Sequence, residues 1–215
     1  MDPMTDYGLW PLVIINSLII LIFAFSFFQP QTRLDWRTFG AFAAFIVALF
    51  TEMYGFPLTI YLLSGWLSSR FPETNWFLHN SSHLLQTLLG WSGDAHSSPL
   101  HIISDLLVLG GLILLAASWK VLHKGQRNYE MACRGPYAKI RHPHYAAFIV
   151  IMVGFLVQWP TLPTLLMFPV LVWVYLRLAR REEKEALAMF GEQYAQYAKN
   201  TPRFIPELGW DAVSY

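Results

Sequence analysis

Arg141, His142 and Tyr145, set around Pro143 where a basic loop meets an apolar run, are the residues of this 215-residue chain best suited to chemistry. A proline in the first turn of a helix loses no backbone donor, so Arg141 and His142 should fall at the helix N-cap. A helix N-terminus with an arginine beside it attracts an anion such as a carboxylate. Tyr145 would project one turn inward and offer an aromatic face and a hydroxyl. Six residues before Arg141 stands the turn-forming Gly135-Pro136-Tyr137. Taken alone, the block also reads as a basic membrane-flanking loop with an aromatic belt residue. A second polar group, Glu182-Glu183, follows Arg177, Arg180 and Arg181. Carboxylates there suit ribose hydroxyls or a cationic ligand, or else an i,i+4 salt-bridged surface turn.

The elements that must position these groups are apolar. Hydrophobic residues make up 55% of the chain and charged residues 13%, against about 25% charged in soluble domains. The deficit lies in long uncharged runs, which reads as an all-α, polytopic membrane protein. Net charge is +1, which gives no sign of a nucleic-acid partner. Five segments are expected to span: Leu9–Phe28, Thr38–Trp66 kinked at Gly55-Phe56-Pro57, Ile102–Leu122, Ala146–Trp159 and Leu162–Leu176. The acidic start, with Asp2 and Asp6, is unlike a cleavable leader, so the first run is expected to stay as a span. The connection between the last two is so short that they must form an antiparallel hairpin. That hairpin should carry Glu182 and Glu183 back beside His142.

Positive charge gathers at Arg33 and Arg37, from His123 to Arg141, and in the tail from Arg177 to Arg203, whereas Ser68–His101 holds only Arg70. The expected topology is N-terminus outside, C-terminus and polar site cytoplasmic. Trp76–Leu89 reads as an interfacial helix. Glu182–Asn200 reads as an amphipathic one with Phe190, Tyr194 and Tyr197 on a shared face. The chain is treated as a single membrane domain, 1–215.

The pattern Gly135-Pro136-Tyr137-x-x-x-Arg141-His142-Pro143-x-Tyr145, then Glu182-Glu183, then Phe190-Gly191-x-x-Tyr194-x-x-Tyr197, resembles the isoprenylcysteine carboxyl methyltransferase and phospholipid N-methyltransferase superfamily. The resemblance runs from about Trp119 to Pro206. It implies a methyltransferase enzyme in which S-adenosylmethionine is enclosed by Gly135, Tyr137, Arg141, His142, Tyr145, Glu182 and Glu183. A lipophilic or small apolar acceptor (carboxylate, thiol or amine) would enter from the membrane lipids through a gap between helices. On this division, 119–206 is the cofactor-binding core and 1–118 the region of acceptor choice. Two departures stand out: two residues after the motif tyrosine, where the family often has glycine, stands Ala147, and Met131-Ala132-Cys133-Arg134 precedes Gly135 where Leu-Val-Thr-x is common. An NADPH-dependent membrane reductase and a non-enzymatic membrane subunit are the rival readings.

Glu52 and Arg177 are the candidate catalytic residues outside the motif. Glu52 sits mid-span, where ionisable groups are costly and usually functional, although a protonated, hydrogen-bonded glutamate would also suit that position. Arg177 is placed to orient an acceptor carboxylate or to snorkel to the interface. His79 and His83 have the i,i+4 spacing of a metal pair, with His96 and His101 nearby, but no cysteine or regular carboxylate joins them. They are read as interfacial or hydrogen-bonding groups, and no metal is assigned. Cys133 reads as a loop cysteine.

Overall fold

A computed structural model describes residues 7–28, 30, 32–78, 83–91, 93 and 95–206. Every regular element among them is helical. The elements are α1 (Trp10–Phe27), α2 (Arg33–Phe50) continued by a π-helical turn (Thr51–Gly55), α3 (Leu58–Arg70), α4 (Leu84–Leu88), α5 (Pro99–Asn128), α6 (Pro143–Gln158), α7 (Leu162–Phe190) and α8 (Glu192–Asn200). Arg33–Gly55, Pro99–Asn128 and Leu162–Phe190 are long and apolar enough to cross a membrane, and α1 and α6 are shorter apolar helices. The chain is a polytopic, all-helical membrane protein.

The five long helices alternate in direction. The Gly8 and Leu9 amides donate to the Gly55 and Tyr54 carbonyls at 2.8 and 2.9 Å, which joins the start of α1 to the end of α2. The Ser104 hydroxyl, early in α5, donates to Gln158 at the end of α6. The Leu162 amide opening α7 donates to the Thr59 hydroxyl of α3 at 2.8 Å. The start of α6, the middle of α7 and the start of α2 therefore gather at the opposite end.

The tightest packing joins α5 to α6. Ser104, Gly111 and Ser118 recur at seven-residue intervals on α5 and are all buried; Ala147 and Gly154 do the same on α6. Small residues at that period let two helix backbones approach closely. A Cβ on Gly111 would lie 2.6 Å from Ile151 and one on Gly154 2.8 Å from Val108, so nothing larger fits. Around this pair an aromatic core of Phe28, Phe42, Phe45, Phe148 and Tyr175 fills the bundle with α1, α2 and α7.

Several expected boundaries change. The Thr38–Trp66 segment is two helices, because the π turn and Pro57 break it rather than bend it. At 13 residues α3 is about 20 Å long and too short to cross the roughly 30 Å bilayer core. Ile60, Leu67, Trp76 and Leu84 form a separate small cluster instead. Arg33 and Arg37 belong to α2, whose start is fixed by a capping box between Thr32 and Asp35. Within Trp76–Leu89 only Leu84–Leu88 is helical among the described residues, closed by Gly90 in the left-handed region (φ +77°). The helix carrying Glu182 is not a separate amphipathic unit: α7 runs unbroken to Phe190, and Gly191 (φ +53°) turns the chain into α8.

Candidate functional site

The turn before α6 is built first by backbone geometry. Gly135 adopts φ +58°, in the left-handed region that favours glycine, and opens a 3-10 turn through Ala138. The Tyr197 hydroxyl of α8 donates to the Tyr137 carbonyl at 2.6 Å and fixes that turn. The tail after α8 then closes on the block: the Arg141 amide donates to the Pro202 carbonyl at 2.8 Å, and the His142 amide to the Arg203 carbonyl at 3.1 Å. Pro143 sits at the first helical position, with His142 as the N-cap.

The acidic pair of α7 meets this block side on. The Tyr145 hydroxyl donates to Glu182 Oε1 at 2.6 Å, and the other Glu182 oxygen lies 3.5 Å from His142 Nδ1 and 3.8 Å from His144 Nε2. Glu183 Oε1 lies 3.2 Å from His142 Nε2 and 3.3 Å from Arg141 Nη1. Arg203 completes it with two bonds, Nε to Oε1 at 3.0 Å and Nη2 to Oε2 at 2.6 Å, a bidentate fork. Behind Tyr145, Thr38 donates to its oxygen at 3.4 Å, and the Tyr175 hydroxyl reaches the Thr38 carbonyl at 3.4 Å. Thus α2 braces the pair from the inner side.

Burial lowers the affinity of His142 for its proton, but hydrogen bonds and charge from Glu182 and Glu183 together outweigh it, and its pKa is raised. The Tyr137 phenol is pushed well up, first by burial and then by the Glu182 charge, so it stays neutral. The site therefore holds neutral hydroxyls beside an imidazole whose hold on its proton is strengthened by two carboxylates.

A cavity of about 310 Å³ opens against these groups, at the lower end of the roughly 300–1,000 Å³ usual for small-molecule sites. Its polar wall includes Tyr137, Arg141, His142, His144 and Glu182, while Leu122, Met131, Ala186, Met189 and Phe190 supply apolar surface. Arg141 Nε and Gln126 Oε1, both on residues lining the cavity, are buried without a hydrogen bond. Buried polar atoms in native proteins are nearly always paired, so a donor and an acceptor are left for a polar ligand.

Curated proteins are similar to part of this chain in sequence. Protein-S-isoprenylcysteine O-methyltransferase B of Arabidopsis thaliana is 30% identical over 49% of this chain and 55% of its own length. The protein-S-isoprenylcysteine O-methyltransferase of Schizosaccharomyces pombe is 29% identical over 40% of this chain and 37% of its own. Over about half its length this chain is similar to isoprenylcysteine O-methyltransferases. A cobalt-zinc-cadmium resistance protein of Cupriavidus metallidurans matches as well, 30% identical over 48% of this chain and 50% of its own length. The chain thus spans about half the length, or less, of the curated relatives it matches. No family model matches the chain, and no solved structure matches it significantly.

The residues expected from the resemblance to these methyltransferases converge, but in two layers. Tyr137, Arg141, His142 and Glu182 line the cavity. Tyr145 is fully buried and, with Glu183, holds the lining residues from behind. Gly135 acts through the turn it permits. Glu52 is not brought here. It lies 17 residues beyond Asp35, roughly 25 Å along α2, and accepts the Thr59 amide at 3.0 Å. Arg177 is not brought here either; it is exposed and stacks on Trp173 at 4.9 Å. His83, His96 and His101 cluster at the far end, and His79 lies outside the described residues. Among the described residues no group of histidine, cysteine or carboxylate is arranged to hold a metal ion.

Thr32, Asp35, Gln126 and Glu185 also line the cavity without having been expected there. The spacing Thr32-x-x-Asp35 carries a helix-start signal, but nothing in it says that this start lies beside His142.

Proposed function

We propose that this protein transfers a methyl group from S-adenosylmethionine to a lipophilic or small apolar acceptor at the membrane. The observation that carries the reading is the meeting of the Arg141–Tyr145 block with Glu182 and Glu183 at one cavity that keeps unsatisfied polar atoms. The donor is zwitterionic, with a carboxylate, an ammonium, ribose hydroxyls and an adenine. Arg141 Nε, near the α6 N-terminus, suits its carboxylate, Gln126 Oε1 suits a donor such as its ammonium, and Glu182 suits hydroxyls or positive charge. The apolar wall from Met189 and Phe190 suits the base and keeps water away. When bound, the donor supplies an electrophilic methyl on a sulfonium. The chain's own part is to bind, orient and exclude water, and positioning alone contributes a large share of such rate enhancements. Bringing a cation and an anionic acceptor into a dry site also favours a transition state in which charge is neutralised.

In this reading Gly135, Tyr137, Arg141, His142, Tyr145, Glu182 and Glu183 form the cofactor pocket, facing the cytoplasm, and the acceptor arrives from the bilayer. Helix α2 joins in through Thr32, Asp35 and Thr38, so residues of 1–118 also border the cofactor pocket. Glu52 and Arg177 have structural and interfacial roles. The test is calorimetric titration of detergent-purified protein with S-adenosylhomocysteine, with NADPH in parallel. Binding of S-adenosylhomocysteine that is lost in His142→Ala supports the pocket; binding of NADPH alone, or of neither, rejects it.

A further inference from the structure

His144 occupies the position inside the Arg141–Tyr145 block that the motif leaves open. It is 2% exposed and lines the cavity. The Tyr137 hydroxyl, from the turn, lies 3.0 Å from its Nδ1, and Glu182 Oε2, from α7, lies 3.8 Å from its Nε2. The ring is held by Tyr145 at 4.0 Å and Phe28 at 6.4 Å between centroids. His142 and Tyr145 on its own helix and Asp35 of α2 are the other titratable groups around it. A ring protonated on Nε2, the side facing the Glu182 carboxylate, would leave Nδ1 to accept the Tyr137 O–H, and the Tyr137 oxygen would keep a lone pair for a donor in the cavity.

We propose that Tyr137 and His144 form a proton relay for an acceptor that must lose a proton, a thiol or an amine. The inference rests on the methyl-transfer reading. The acceptor's lone pair forms the new bond to carbon as the donor's carbon–sulfur bond breaks and leaves its electron pair on sulfur. The S–H or N–H proton passes to Tyr137 Oη while the tyrosine's own proton passes to His144 Nδ1. Glu182 balances the imidazolium, which returns its proton to water by the reverse path when the cavity empties. A carboxylate acceptor brings no proton and leaves the relay idle. Tyr137 is the group that meets the acceptor, and His144 acts through it.

The experiment compares wild type with His144→Gln on dodecanethiol, dodecylamine and dodecanoate, from about pH 6 to about pH 9, with S-adenosylhomocysteine calorimetry on both proteins. Expected is a loss on the thiol or the amine near neutral pH roughly 100-fold beyond any loss on dodecanoate, which should fall only as far as cofactor affinity does. Turnover of the thiol should recover as rising pH ionises it. Equal losses on all three probes, or an unchanged pH profile, overturn the relay. Absent S-adenosylhomocysteine binding in wild type instead defeats the methyl-transfer reading. Nitrogen NMR of histidine-labelled wild type, with the His144 signal assigned by its loss in the variant, needs no acceptor. A neutral ring with bare Nδ1 supports the relay, and a proton on Nδ1 throughout that range overturns it.

Discussion

Histidines gather at both ends of this bundle, and the two clusters are built from different neighbours. At one end His142 and His144 face Glu182 and Glu183, with Arg141 and Arg203 closing the network and a cavity beside it. At the other, His83, His96 and His101 lie 4.9–6.0 Å apart between ring centroids. There the Gln158 amide sits 2.9 Å from His101 Nε2, and its oxygen accepts from Ser104 at 3.2 Å. Exposed Asp105 lies 3.9 Å from His101 Nε2. Residue type alone does not mark a site. Buried carboxylates hold charge in place and shift proton affinities, whereas at the far end an amide meets the His101 ring and a serine hydroxyl ties α5 to α6.

The sharpest way to break that contrast is His142→Ala, which should weaken S-adenosylhomocysteine binding at least about 100-fold by calorimetry while the protein still inserts. Far-end Gln158→Leu should leave that affinity unchanged, and a shared loss would erase the distinction between the ends. Glu182→Gln should cost roughly tenfold in the same titration and Glu183→Gln less, since only Glu182 lines the cavity; the reverse order would move the ligand toward Arg203. Gly154→Val should lower stability by about 1–3 kcal/mol through overpacking, seen as a lower Tm in detergent, with Gln158→Leu costing about 1–2 kcal/mol from lost hydrogen bonds. The smallest effect concerns pH. A raised pKa for His142 means its ion pairs contribute fully below the ordinary value of about 6.5 and fade as pH rises through the folded value. Tm should therefore decline across that window, and His142→Asn should flatten the decline.

Sequence reading reached the helical class, the α6–α7 hairpin and the meeting of the two motif halves, because each follows from local pattern: apolar length, a short Trp159–Pro163 connection, and polar blocks at helix ends. It did not reach the π turn that ends α2: Gly55-Phe56-Pro57 signals a kink, but nothing in the residue types of Thr51–Gly55 marks a change of helical pitch. Nor did it reach the tail clamp. The bonds from Arg141 and His142 to Pro202 and Arg203 are backbone bonds between segments about sixty residues apart, and backbone partners leave no mark in residue type. His144 was visible in the chain but had no assigned partner until Tyr137 and Glu182 came within reach of its two nitrogens.

The glycine contacts between α5 and α6 bear on traffic. Where a single added carbon at Gly111 or Gly154 already collides with the opposite helix, no acyl or prenyl chain can slip through. That flank of the bundle is closed at these two levels, so on the methyl-transfer reading a lipophilic acceptor would enter along a different seam.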